Sequence, residues 1–406
     1  SRWRRTAHRE AESVIRVDAQ ELPAGIVSLR DGLRRFLEDE ILPAERRDGV
    51  LEEAQAGPAL RNWARARSAE LGIYRRLQPV DLGGGGLGPL GRVALYEEIA
   101  RSQCVLHDCI LGGDGGLLRL ATGAQRERLL LPVLRGELTA ALAFTDAREG
   151  PRTTAVRKDA TFVLSGVKSF VTGGPHADLL ITLAKVTHNP GGKTGTAVFV
   201  VRRDAPGVRL ARDIRTLDGV PHGEFELTSV AVPDADVIGE IGQGLPRALE
   251  SITALRLRAA ATACGAARWT LDYALAQARR PHRTGVPLGD REQVQAMLGQ
   301  SAMDLFAARA GLYAAARTAE SGGDAEVEVA MAKAVATEAV AHIVDRAMQL
   351  SGGAAVVEGH PLARLYRRIR SWRIAEGTTE ILRLTVARRL LAPDAATKGE
   401  HTHASQ

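Results

Sequence analysis

RLYRRIRSWRIAEGTTEILRLTVARRLL, Arg364–Leu391, decides how the chain is read, because the carboxylate Glu376 is followed at once by Gly377, Thr378 and Thr379. Upstream runs a basic segment with helical spacing. Downstream, Ile381, Leu384, Ala387 and Leu391 recur at helical intervals as an apolar side, so Glu376 falls in a hinge between two helices and Thr378 stands where an N-cap would. Gly377 lets the backbone turn tightly, and the free N–H groups opening the next helix can hold an anion such as a phosphate. A carboxylate in that hinge serves as an acid, as a base, or simply as a solvated residue beside a cap.

Outward from the hinge, helical spacing covers Leu245 to Arg279, Arg291 to Ser321 and Ala325 to Leu350, which with Thr379 to Leu391 predicts a four-helix antiparallel bundle over 241–393. Before it, LTAALAFT, TFVLSGVKSFVT, ADLLITLAKV, GTAVFVVR and GEFELTSVAV are β-branched or alternating runs separated by turn signals, predicting a middle antiparallel β domain over 138–240. Earlier still, Ile26 to Arg47, Pro58 to Leu71, Arg92 to Arg101, Leu111 to Leu120 and Gln125 to Leu134 read as helices of an N-terminal helical domain, 26–137. PVDLGGGGLGPL, Pro79–Leu90, lacks the Gly-Lys-Ser/Thr ending of a phosphate loop and reads as a turn between helices. Residues 1–25 read as a polar leader and 394–406 as a disordered tail, so the fold class is α+β in three parts.

The 406 residues, 45% hydrophobic and 25% charged, suit a soluble protein of two or three domains, and with no apolar span or signal segment the expected location is cytoplasmic. Three cysteines, Cys104, Cys109 and Cys264, suit free thiols in a reducing compartment. Cys104, His107 and Cys109 lack a fourth ligand, so no metal is expected and they read as core. The net charge of +6 admits nucleic acid, an acidic carrier or a phosphorylated cofactor as partner. Aromatics at 4% argue against a stacking platform for single-stranded nucleic acid.

With YEEIARSQ (Tyr96–Gln103), AFTDAREGPRTTAVRKDATFVLSGVKSFVTGGPHADLL (143–180), IGQGLPRALESITALRLRAAATACGAA (241–267), AMQLSGGAAVVEGHPLARLYRR (347–368) and WRIAEGTTEI (372–381) in order, the chain resembles the acyl-CoA dehydrogenase family over nearly its whole length. The resemblance implies FAD-dependent α,β-dehydrogenation of an acyl thioester, with Glu376 taking the α-proton and flavin accepting the β-hydride. Some branches carry the base on a bundle helix beside an arginine matching Arg256; here that neighbour is Leu255, which leaves Glu376 of the two. The resemblance also implies that Thr145, Phe170, Thr172 and Thr378 bind FAD, and that Gln349, Gly352 and Gly353 reach it across a subunit interface. Arg256, near the substrate entrance, and Ala375 and Gly377, beside the base, would line the acyl site. A homodimer or homotetramer and an electron-transfer partner follow from the same resemblance.

Several positions depart from the family pattern. Its Thr-Glu-Pro then Ala-Gly-Ser-Asp is here Thr145, Asp146, Ala147, then Arg148, Glu149, Gly150 and Pro151. The arginine that reaches the flavin pyrophosphate is replaced by Pro281, with Arg280 or Arg283 as substitute. Ala355 and Val356 follow the glycine pair in place of Gly-Tyr, and Ala375 replaces an aromatic before the base, leaving space for an acyl group bulkier than a straight chain. Arg367, Arg368, Ile369 and Arg370 replace Arg-Asp-Ala-Arg; with Arg364 and Arg373 they form either a solvated face or a docking surface for CoA phosphates or acyl carrier protein. The leading expectation is therefore dehydrogenation in a specialised biosynthetic pathway. The altered flavin loop keeps open a flavin-free isomerisation or cyclisation, and the fold a flavin oxidase or monooxygenase; a nucleic-acid-binding relative is the reading from charge alone.

Overall fold

The computed structural model describes residues 22–52, 55–150, 152–281 and 285–392. Arg283, most of the 1–25 leader and the 394–406 tail lie outside the described residues. By contacts the described residues form two compact units, one drawn from the spans 1–30, 89–103 and 255–406, the other from 31–88 and 104–254.

In chain order the helices include α1 (Ala24–Phe36), α2 (Pro58–Glu70), α3 (Pro89–Ser102), α4 (His107–Leu111), α5 (Leu131–Arg135), α6 (Gly244–Ala278), α7 (Glu292–Glu320), α8 (Glu326–Ser351), α9 (Pro361–Trp372) and α10 (Thr379–Leu390), with further helical segments between them, Leu42–Arg47 among these. The expected helix over Leu111 to Leu120 is broken: α4 stops at Gly112 (φ +67°), and a short 3-10 turn begins only after Gly115 (φ +85°). Left-handed glycines end helices because they carry no Cβ to clash with the following carbonyl. In the glycine run, Gly85 N–H donates to Arg75 O and Gly86 N–H to Gln78 O, and a Cβ on Gly84 would lie 2.2 Å from Gln78 O. Those glycines let two stretches of backbone press together.

The sheet comprises β1 (Ala140–Ala143), β2 (Thr154–Lys158), β3 (Thr161–Thr172), β4 (Leu179–His188), β5 (Gly195–Arg202), β6 (Val208–Arg215), β7 (Pro221–Pro233) and β8 (Val237–Ile238). Its order is β6-β7-β3-β2-β4-β5-β8, with β1 also on β4. Most neighbours are antiparallel, but β4 runs parallel to both β1 and β2. Three strands escape the sequence pattern. β2 and β8 are short, and β6 (VRLARDIR) is an edge strand exposed along most of its length, so burial never imposes an alternating pattern on it. Phe162, Phe199, Phe225 and neighbouring aliphatics fill one side of the sheet, while Leu129, Leu130 and Leu134 cover Leu179, Ile181 and Val200 on the other.

In the helical unit, α6, α7 and α8 share an alanine-rich core with Leu365 and Ile369 of α9. Small side chains let the helices approach closely. Into this core α3 inserts Glu97, 1% exposed, which accepts from Arg309 Nε at 2.6 Å and Tyr313 Oη at 2.6 Å and lies 3.3 Å from Arg268 Nη1. Burial alone would raise its pKa; the two guanidiniums and the hydroxyl overcome that and hold it at about 2. α10 corrects the expected face. Thr379 and Leu382 are buried, whereas Ile381, Leu384 and Leu391 are exposed, because the turn before the helix sets its rotation.

Glu97→Leu removes the buried carboxylate that Arg309, Arg268 and Tyr313 face and is expected to destabilise the fold by about 3–5 kcal/mol, read by urea unfolding. A folded value depressed below the ordinary 4.5 means that this carboxylate's contribution is complete above pH 4.5 and is lost as pH falls toward about 2, which an acid titration of stability checks.

Candidate functional site

The hinge between α9 and α10 is a left-handed turn: Glu376 has φ +51° and Gly377 φ +101°. Only glycine adopts the second value without strain, and a side chain at the first requires support from its surroundings. Two cations supply it. Arg256 of α6 donates from Nε to Glu376 O at 2.8 Å, and Lys333 of α8 donates from Nζ to Gly377 O at 2.8 Å. The segment is closed by Thr379 N–H donating to Arg373 O at 3.2 Å, and Arg373 in turn pairs with Glu338 at 2.8 Å. Thr378 Oγ1 accepts from Ile381 N–H at 3.3 Å and caps α10.

Desolvation pushes the Glu376 carboxyl above the usual carboxylate range, against the opposing charges of Lys333, Arg258 and Arg256. A carboxylate so placed is a stronger base than a solvated glutamate. Arg256, expected near a substrate entrance, is 7% exposed and lies beneath the turn. Ala375 and the neighbouring Ile374 are exposed beside the carboxylate. Lys333, 0% exposed, was not legible as a site residue, because a helical lysine normally reads as solvated. Its signal was position: it shares the inward face of α8 with Val329, Ala336 and Val340.

The structure thus brings Glu376, Arg256, Gly377 and Thr378 together. Gln349, Gly352 and Gly353 are exposed at the far end of α8, at least about 24 Å along the helix from Lys333 at 1.5 Å per residue. Arg364 Nη1 donates to Gly359 O at 2.7 Å while Arg370 is exposed, so the cationic segment on α9 is only partly engaged within the chain.

In the sheet unit, Thr145, Phe170 and Thr172 are all exposed around the end of β3. Ser169 N–H donates to Thr145 O at 2.9 Å, joining the loop after β1 to that strand. Phe170 is 59% exposed at a left-handed φ of +53°. An aromatic face and two hydroxyls presented outward fit the ring and polar edge of a flavin. The altered loop remains anchored: Lys168, 2% exposed, donates from Nζ to Asp146 Oδ1 at 2.8 Å and Phe144 O at 3.1 Å, and Thr153 Oγ1 donates to the same carboxylate at 2.8 Å. Cys104 Sγ and the N–H groups of Val105 and Leu106 all donate to the buried Glu45, a structural arrangement. No helix among the described residues is long and apolar enough to cross a membrane.

Sequence profiles described as the acyl-CoA dehydrogenase N-terminal, middle and C-terminal domains match residues 26–137, 141–230 and 242–391. The chain is 30% identical over 374 residues to a 3-(aryl)acrylate reductase of Clostridium sporogenes, covering 89% of this chain and 97% of that protein. It is 29% identical to an (R)-benzylsuccinyl-CoA dehydrogenase of Thauera aromatica, covering 89% and 94%. The crystal structure of a probable acyl CoA dehydrogenase from Mycobacterium abscessus superposes with a TM-score of 0.80 at 27% identity, covering 91% and 99%. The chain belongs to the acyl-CoA dehydrogenase family. It is an oxidoreductase of that class.

Gly377→Ala places a Cβ 3.2 Å from Arg256 Nη2 at a φ that L-residues avoid. It is expected to cost about 1–3 kcal/mol of stability, measured by thermal unfolding.

Proposed function

We propose that this protein is an FAD-dependent dehydrogenase of acyl thioesters in which Glu376 removes the α-proton. The observation that carries the reading is the partly enclosed Glu376 carboxyl, raised in basicity by desolvation and fixed in a left-handed turn whose two carbonyls are held by Arg256 and Lys333. An α-proton beside a thioester is weakly acidic, so its removal needs a strong, well-aimed base and a donor for the carbonyl oxygen. The Glu376 backbone N–H would be one such donor. FAD, when bound, supplies the acceptor for the β-hydride. Thr145, Phe170 and Thr172 would hold its flavin end, Thr378 would contact it beside the base, and Gln349, Gly352, Gly353 and Arg283 would reach the cofactor of a neighbouring copy.

The acyl group is bulkier than a straight chain. Ala375 supports this by leaving the side of the carboxylate open, and the two relatives above are named for aryl- and benzyl-bearing compounds. The thioester carrier is CoA or acyl carrier protein, with the arginines of α9 as its docking charge, and the electrons leave to an electron-transfer partner. The functional unit is a homodimer or homotetramer, for which the exposed Ile381 and Leu384 on α10, with Leu391 just after it, provide an apolar contact.

The purified protein is expected to show oxidised flavin bands and to release FAD on denaturation. Glu376→Gln is expected to keep the flavin but lose about 10²–10⁴-fold in turnover, read by anaerobic bleaching with candidate thioesters. A colourless protein that stays colourless with added FAD would instead make Glu376 an acid–base group in non-redox chemistry. Aryl-substituted thioesters are expected to turn over faster than straight-chain ones of equal length; efficient turnover of the straight chains would remove the open-pocket reading.

A further inference from the structure

Lys333 is buried at 0% exposure, yet among the described residues its ammonium donates to a single acceptor, the neutral carbonyl of Gly377. An ammonium carries three donors and loses much of its hydration on burial, so one carbonyl is a poor exchange if the residue serves stability alone. The anchored carbonyl belongs to the residue after Glu376, and the preceding carbonyl is held by Arg256 from another helix. We propose that Lys333 is a positioning residue for Glu376: from α8 it pins the Gly377 carbonyl, closes with Arg256 the left-handed turn that aims the carboxylate, and places a positive charge beside it.

The geometry explains why two cations are needed. A single donor would leave the second peptide of the turn free to rotate, and Gly377 offers no side chain to resist that rotation. Burial lowers the Lys333 ammonium to about 8 while Glu376, Glu338 and Glu380 oppose the fall. In the other direction Lys333 is the largest charge favouring the ionised Glu376. The charged groups acting on this pair are Arg256 and Arg258 on α6, Glu338 on α8 and Glu380 on α10, while Glu326 acts in turn on Arg256 and Arg373 pairs with Glu338. Removing Lys333 therefore both loosens the turn and raises the pH below which Glu376 is protonated and inactive.

This rests on Glu376 acting as the base, and its test separates the two ideas. Lys333→Met, Lys333→Gln and Lys333→Arg are compared with Glu376→Gln in the full chain. Hydrogen exchange of residues 373–380, which needs no turnover, is expected to quicken about tenfold or more in Lys333→Met and to stay near the parent in Lys333→Arg. The acid limb of kcat/KM is expected to move to higher pH in Lys333→Met and in Lys333→Gln, which keeps a donor but no charge, and to return in Lys333→Arg. Unchanged exchange and an unmoved acid limb in both uncharged variants would overturn the proposal. If Lys333→Met fails to fold, Lys333→Gln against Lys333→Arg decides it. Full turnover by Glu376→Gln would instead dismiss Glu376 as the base, while the exchange measurement still reports whether Lys333 holds the turn.

Discussion

The candidate site depends on the two backbone carbonyls of Glu376 and Gly377 being held by cations from different helices. A turn with two consecutive positive φ values is costly unless its surroundings over-determine it. Here the surroundings are α6 and α8, long helices locked by their own alanine-rich packing. The rigid part of the fold thus supports the strained part, and the strained part carries the carboxylate. Because hydrogen bonds to a charged donor are stronger than neutral ones, Arg256 and Lys333 restrain the turn more firmly than amides or hydroxyls would.

A second charge cluster in the same unit makes an instructive contrast. Glu97 is surrounded by two guanidiniums and a phenol, so its ionised form is favoured far below neutral pH and has no proton to exchange. Glu376 meets cations as well, but two of them spend hydrogen bonds on backbone carbonyls and leave the carboxylate incompletely satisfied. Both glutamates lie among arginines, and only in Glu376 is the carboxyl pushed above the usual carboxylate range. What separates them is whether the guanidinium and ammonium groups point at carboxylate oxygens or at peptide oxygens.

Much of this was legible in the sequence, and the limits have physical causes. The bundle helices were readable because each buries a continuous face, and the hinge because Glu-Gly-Thr-Thr breaks one helix and caps the next. β6 was missed because an exposed edge strand obeys no burial pattern, and the rotation of α10 because it is set by φ angles one turn upstream. Lys333 was missed because its meaning lies in a carbonyl 44 residues away, a contact that periodicity cannot express. Arg256 could be singled out, but its task of holding backbone could not.

The charged face of β6 has a bearing on how the protein behaves at high concentration. A strand at the rim of a sheet offers unpaired backbone groups to any passing chain. β6 carries Arg209, Arg212, Asp213 and Arg215, and two of those arginines pair across to Glu226 and Glu224 of β7. A second molecule aligning its own β6 there would bring like charges and their hydration into register. Crowded copies are thereby discouraged from joining their sheets, and the same residues that hid this strand from a pattern search keep it from seeding fibres.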